Sequence, residues 1–337
     1  MSGVRASQRP PPQILLGLVF KSKLLIKISF NSLSKAIRCF LLKTIAVPSE
    51  VIWAMLYFLL RLFSSLPLAV SQIIGAGIGL LVYWLSPRYR ARLNANYRSA
   101  ATFLGIHSAP WKVAAESGMI FADTLWIWRH PNAAKDKVIV DNLDQIIKLA
   151  TNGKGLIILA SHLGGFEIVP RFFAQHMKAT VMYRPARKSW VNDLMLKSRE
   201  HSQIDFVIAN LAGVRKIKRA LKNGEVVGIL ADQVPSVGDG VWAKFFNQYA
   251  YTTTFPVKLT RKNEVATIFV SAERLGFGQG WAIKHRLMTE EYPECPIKAC
   301  TLMNQFFEES IASKPHQYMW SYNRYKSPLG AKLAPVG

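Results

Sequence analysis

The sequence is short of cysteine, of acid, and, through one long stretch, of charge altogether. Three cysteines, Cys39, Cys295 and Cys300, stand scattered through 337 residues. They are too few for a disulfide framework, and Cys295 with Cys300 lacks the second pair a zinc site needs, so reduced thiols facing a cytosol are expected. The seven histidines contain no His-x3-His or comparable ligand spacing, so no metal is expected. No signal peptide is legible: the apolar run at 14–20 is short, is followed by lysines and leads to no small-residue cleavage site. Acid is scarce, with 20 Asp and Glu against 43 Lys and Arg, a net charge of +23. That balance calls for an anionic partner, and nucleic acid or an anionic membrane surface would serve. Half of all residues are hydrophobic, which favours the membrane.

Charge is nearly absent from 51–85, where Arg61 is the only charged side chain. The part from 62 to 85 is long enough to span a bilayer, although Pro67, Gly75, Gly77 and Gly79 make it uneven. Basic residues lie on both sides of it: Lys35, Arg38 and Lys43 before, Arg88, Arg90, Arg92 and Arg98 after. The positive-inside rule therefore picks no orientation, and a segment lying in the membrane or a short hairpin fits better than a single span. Ahead of it, 1–48 is a basic extension that starts with Pro10, Pro11 and Pro12. Within it, 24–43 reads as an amphipathic helix, with Leu33, Ile37 and Leu41 on one stripe and Lys27, Lys35 and Arg38 off it. The expected organisation is a basic extension at 1–48, a membrane-anchoring helical segment at 49–98, a catalytic domain at 99–328 and a tail at 329–337.

Beyond 98 the composition is globular. A helix is expected at 111–129, then strands at 156–160, 180–183, 206–209, 226–230 and 267–271, with helices at about 166–177, 190–201, 211–223 and 254–262 between them. Such alternation predicts an α/β fold: a mostly parallel sheet flanked by helices. The segment Leu156-Ile-Ile-Leu-Ala-Ser-His-Leu-Gly-Gly-Phe-Glu167 carries the most chemistry. A buried strand ends, His162 follows in the turn, Gly164 and Gly165 free the backbone, and Glu167 opens the next helix. Open α/β sheets bind ligands beyond the carboxyl ends of their strands. A histidine there, its ring oriented by a carboxylate five residues on, can take a proton from an attacking hydroxyl.

Four ordered blocks resemble the bacterial lipid A secondary acyltransferases, the lauroyl/myristoyl transferase group of the His-x4-Asp/Glu lysophospholipid acyltransferase-like superfamily. Ser161-His-Leu-Gly-Gly-Phe-Glu167 is similar to that family's His-x-Gly-Asn-x-Glu block, with Gly165 where Asn is usual. Tyr183-Arg-Pro185 is similar to its Tyr-Arg-Pro block. Ala231-Asp-Gln-Val-Pro235, Gly240 to Phe246 and Thr252-Thr-Thr254 are similar to its Asp-Gln…Phe-Phe-Gly…Thr-Thr block, with Asn247 in place of Gly. Pro315-His-Gln-Tyr-Met-Trp320 through Arg324-Tyr-Lys326 is similar to its last block, from which His316 and Asn323 depart. The likeness runs from about 62 to 326.

The resemblance implies a glycerolipid acyltransferase-like fold with a membrane-attached N-terminal region, on the cytoplasmic side of a bacterial inner membrane. It implies transfer of a fatty acyl chain from acyl-acyl-carrier-protein, or from acyl-CoA, to a hydroxyl of a lipid A precursor of the Kdo2-lipid A type, with no cofactor. His162 is then the general base and Glu167 its orienter. Arg184 is a candidate for the oxyanion or an acceptor phosphate, Asp232 for orienting Arg184 or holding a polar group of the acceptor, and Gly164 and Gly165 for the substrate loop. Arg324, near Trp320, Tyr322 and Lys326, is a candidate for phosphates or headgroups. The basic run Arg215, Lys216, Lys218, Arg219 and Lys222 suits acidic acyl carrier protein or anionic lipid. Two other readings stay open: acylation of a different glycolipid, aminolipid or lysophospholipid by the same pair, and a non-catalytic basic protein that binds membrane or nucleic acid. The blocks leave nucleic acid without a role.

Overall fold

The computed structural model describes residues 49–335 apart from 187 and 264. The expected amphipathic helix at 24–43 lies outside them. The chain divides into two compact units at Leu59 and Leu60. The first is described only at the start of helix α1 (Ser49–Ser64), and every later element belongs to the second.

The near-uncharged stretch 62–85 is not one continuous helix. Helix α1 ends at Ser64, and α2 (Leu68–Leu85) begins after Pro67, whose fixed φ (−53° here) suits a helix start but not a helix interior. Among the described residues α2 alone is long and apolar enough to cross a membrane. It is committed on one face, however. Ser71, Gln72, Gly75, Gly79 and Tyr83 are buried, while Ile73, Ile78, Leu81, Trp84 and Leu85 are exposed. The buried face lies on α4 (Pro110–Arg129), which follows α3 (Pro87–Leu104). The two backbones come so close that a Cβ on Gly75 would sit 2.7 Å from the Gly118 carbonyl oxygen, and one on Gly118 would run into the Gly75 oxygen. Small residues four apart allow helices this approach. Gln72 secures the contact: its amide donates to Asp123 Oδ1 (2.8 Å) and its oxygen accepts the Gly278 N–H (2.8 Å).

After a short α5 (Pro131–Lys135) and β1 (Val138–Val140) comes the layered domain. Its elements in order are α6 (Leu143–Thr151), β2 (Leu156–Gly164), α7 (Ile168–Phe173), β3 (Ala179–Tyr183), α8 (Ser189–Arg199), β4 (Ile204–Ile208), α9 (Leu211–Lys222), β5 (Val226–Leu230), the hairpin β6 (Gly240–Phe245) and β7 (Gln248–Thr253), α10 (Phe255–Asn263), β8 (Ala266–Arg274), β9 (Trp281–Leu287) and α11 (Pro296–Ser313). The sheet order is β1-β9-β8-β2-β5-β3-β4, and β6 pairs only with β7. Five strands, β8 through β4, run parallel; β9 is antiparallel to β8 and carries β1 with it. The mostly parallel α/β sheet expected from the alternation is present. Two of its strands, β1 and β9, the hairpin, and helices α5, α6 and α11 went unread in the sequence, and α3 runs beyond the helical segment expected at 49–98.

Strand β2 is central and buried on both faces, as its unbroken apolar run requires. Ile157 and Leu159 enter one core with Ile217 and Leu221 of α9 and Phe306 and Phe307 of α11. Leu156 and Ile158 enter the other, with Phe172, Phe173 and Ile127. The β6–β7 hairpin turns on Phe246 and Asn247, both at positive φ (47° and 59°). A two-residue turn of this hand needs the left-handed region twice, and Asn is the non-glycine residue that best tolerates it. That accounts for Asn247 where the resembled family has Gly.

Replacing Gly118 with Val should lower the stability of the purified protein by about 1–3 kcal/mol, the usual cost of overpacking. Thermal unfolding in detergent, set beside Gly77→Val, whose added Cβ meets nothing within 4 Å, would measure it.

Candidate active site

His162 lies near the carboxyl end of β2, still within the strand rather than in the following turn. The register of β2 shifts between Ala160 and Gly164, which loosens the strand from β8 where His162 leaves the ladder. The ring packs edge-on against Phe166 with centroids 4.8 Å apart. From the other side the C-terminal segment closes in: Leu163 bridges to Tyr318, and the Met319 N–H donates to the His162 carbonyl at 3.1 Å.

The carboxylate on His162 belongs to Asp232, not Glu167. Asp232 Oδ1 is 2.8 Å from His162 Nδ1, and its Oδ2 accepts the His162 backbone N–H at 2.9 Å. The carboxylate in contact with the ring is thus not the expected one but a residue seventy positions beyond His162. The reason is register. Strands β2 and β5 pair in parallel with Ala160 opposite Leu230, so position 162 emerges beside position 232. Burial alone would push the Asp232 carboxyl up, but the His162 charge, two hydrogen bonds from His162 and the Arg324 guanidinium outweigh it and hold it below the usual carboxylate range. The buried Tyr318 hydroxyl also bonds to Asp232; burial and that negative charge keep the phenol well above its ordinary value.

Glu167 precedes α7, is buried and lines the same cavity as His162, but its hydrogen bonds go elsewhere. Its Oε2 accepts from Trp128 Nε1 (3.0 Å) and Arg199 Nε (3.0 Å), and Arg199 Nη2 bonds to its Oε1. Burial would raise this carboxyl too; the Arg199 charge and the Arg199 and Trp128 hydrogen bonds bring it below its ordinary value.

The other expected site residues divide. Arg184, at the end of β3, is exposed and lines the cavity with His162 and Glu167. Gly164 and Gly165 serve packing instead. Gly164 has φ +55°, and a Cβ there would strike the Ala272 carbonyl; a Cβ on Gly165 would strike the Trp281 ring. Trp281 fills the space that the Asn usual at 165 would occupy. Arg324 is buried and meets no headgroup: it donates to the Tyr251 carbonyl and Thr252 Oγ1, each at 2.8 Å, and lies over Phe245. What it gives the site is charge, felt by Asp232. The sequence reading missed Gln233, whose amide nitrogen is 3.2 Å from His162 Nε2, and also Arg199, Trp128 and Tyr318. Gln233 and Tyr318 lay inside recognised blocks; nothing in the local pattern marked Arg199 or Trp128.

The cavity, about 670 Å³, opens beyond the carboxyl ends of β2, β3, β4 and β5, where a parallel sheet places its ligands. Val181, Phe206, Val214 and Ile229 give it an apolar wall, and Arg184 and Lys258 give it exposed cations. A neutral imidazole whose Nδ1–H is fixed on a carboxylate presents a bare Nε2 to this space and can accept a proton there. Replacing Glu167 with Gln leaves the mostly buried Arg199 without its counter-charge. It should destabilise the fold by about 3–5 kcal/mol, the range for breaking a buried pair, as read in chemical denaturation.

Comparison with known proteins adds the family. A sequence model of the bacterial lipid A biosynthesis acyltransferases matches residues 41–327. The lipid A biosynthesis palmitoleoyltransferase of Escherichia coli (strain K12) is 26% identical over 280 residues, covering 80% of this chain and 90% of that protein. A lipid A biosynthesis acyltransferase of Shigella flexneri matches equally, 26% over 280 residues. The lipid A biosynthesis lauroyltransferase of Escherichia coli is 24% identical over 217 residues, 62% of this chain and 68% of that protein. The match spans the helical pair, the sheet and the C-terminal segment over His162, and this chain belongs to the bacterial lipid A biosynthesis acyltransferase family.

Proposed function

We propose that the protein transfers a fatty acyl chain from acyl-acyl-carrier-protein to a hydroxyl of a lipid A precursor of the Kdo2-lipid A type, with His162 as general base. The carrying observation is the Asp232–His162 pair, whose histidine lines a cavity that also has apolar residues and exposed cations in its lining. The acceptor hydroxyl gives its proton to Nε2 as its oxygen attacks the thioester carbonyl. The tetrahedral intermediate collapses, the C–S bond breaks, and the imidazolium returns the proton to the departing thiolate. Asp232, the orienter in this scheme, holds the tautomer and offsets the positive charge that forms on the ring. A thioester is already activated, so a base and oxyanion donors suffice without metal or cofactor. The apolar wall suits the acyl chain. Arg184 and Lys258 suit phosphate on the acceptor.

Helix α9 brings the donor. Leu211 and Val214 line the cavity, while Arg215, Lys218, Arg219 and Lys222 point outward from the same helix. An acidic carrier protein docked on those cations would have its acyl arm at the cavity entrance. The membrane side falls to α2, with its sealed face on α4 and its exposed Ile73, Ile78, Leu81 and Trp84 in the lipid of a bacterial inner membrane. The catalytic domain then stands in the cytoplasm. The departures from the family pattern at Gly165, Asn247, His316 and Asn323 all lie off the cavity wall, so they give no reason to prefer another acceptor.

In a detergent assay with labelled acyl-acyl-carrier-protein, a tetra-acylated lipid A precursor should gain one chain. His162→Ala should abolish the product while leaving the protein folded. Product formed only on lysophospholipid in a parallel tube would change the acceptor, and full activity of His162→Ala would remove the base. Asp232→Asn should lower turnover by about 10²–10⁴-fold, measured by the same assay. The protein should also stay with sedimented membranes at high salt and leave them only in detergent, whereas binding through charge alone would be lost.

A further inference from the structure

We propose that the Gln233 side-chain amide is the oxyanion donor of this site; the inference rests on the acyl-transfer reading above. The orientation of the amide follows from its neighbours. Asp232 lies on His162 Nδ1 at 2.8 Å and its carboxyl is held below the usual range. An ionised carboxylate only accepts, so Nδ1 carries a proton, and in the neutral imidazole that a general base requires Nε2 is bare. The atom of Gln233 facing Nε2 at 3.2 Å is the amide nitrogen, a donor meeting an acceptor. Turned over, the amide would set an oxygen lone pair against a nitrogen lone pair. The pair therefore fixes not only the imidazole tautomer but also which end of Gln233 faces the reacting atom.

One N–H is enough for Nε2, which leaves the second for a ligand. When the acceptor hydroxyl takes its place on Nε2, the amide is displaced from the ring but stays beside it. The hydroxyl oxygen is the atom that bonds to the thioester carbon, and the oxyanion grows on that same carbon. A donor within one hydrogen-bond length of the base is thus placed where negative charge develops. Four nearby backbone donors and one hydroxyl are committed. The backbone N–H groups of His162, Gly165, Ala231 and Val234 go to Asp232, Ala272, Ala160 and the Tyr322 hydroxyl, and the Tyr318 hydroxyl goes to Asp232. Gln233 is half-buried on the cavity wall.

Steady-state kinetics on wild type, Gln233→Ala and Gln233→Glu test this, with His162→Ala as the reference for a lost base. Gln233→Glu keeps the side-chain volume and removes both donors, so it guards against a packing effect. Each variant should melt near wild type and lose about 10²–10³-fold in kcat, as removal of one oxyanion donor does. KM for donor and acceptor should change little, because a donor used only in the transition state leaves substrate binding alone. An unchanged or raised kcat in Gln233→Ala would overturn the proposal and mark the amide as a plug over the base. So would a loss appearing in KM alone. Inactive wild type, or an active His162→Ala, would instead bring down the acyl-transfer reading itself, and this proposal with it.

Discussion

One carboxylate holds the centre of this molecule. Asp232 takes the backbone N–H of His162 on one oxygen and the ring Nδ1 on the other, so main chain and side chain of the same residue are fixed by a single group. Such a grip needs the ends of β2 and β5 to lie flush, which the parallel register supplies. It also needs a buried carboxylate to remain ionised, and the Arg324 guanidinium behind it contributes to that. Arg324 in turn depends on Tyr251 and Thr252 of the hairpin and sits over Phe245. Features that look remote from the cavity, such as the tight turn at Asn247, are the footing on which the charge balance of the site rests.

A second buried carboxylate, Asp123, does for the helical layer what Asp232 does for the site. It accepts from Gln72 of α2, from Arg274 at the end of β8 and from Trp281 at the start of β9. Through it the apolar helix is bound to the sheet and not merely laid upon it. Trp281 is shared further, since its ring packs where a Gly165 side chain would stand. Helix α2 and the loop after His162 are therefore fastened, the first through Asp123, to the same indole.

Much of the layered domain was legible because period and punctuation agree. Strand β5 falls at the expected 226–230, and the helix before it, α9, ends one residue short of the expected boundary. His162 could be found from its place after an apolar run and before two glycines. Its partner could not, because a carboxylate five residues away is the obvious candidate along the chain, while the true contact depends on which strands lie side by side. The clue was present all the same: 156–160 and 226–230 are equal runs, each followed two residues on by a polar side chain. Arg324 misled for a related reason. A basic residue among aromatics reads the same whether it lies over a membrane or beneath a hairpin, and only packing tells the two apart. The long apolar stretch was overread at its start, where Pro67 sets the helix boundary.

The segment over His162 carries a consequence for how the protein comes into being. Met319 closes on the His162 carbonyl, Tyr318 and Arg324 complete the surroundings of Asp232, and Asn96 of α3 holds the carbonyls of Trp320 and Tyr322. On the ribosome, His162 and Asp232 emerge well before any of these C-terminal residues. A nascent chain can form its sheet, and even bring imidazole and carboxylate together, while that pair still lacks its cover and its charge support. The surroundings of His162 and Asp232 are thus completed only when the segment 318–324 folds back over them.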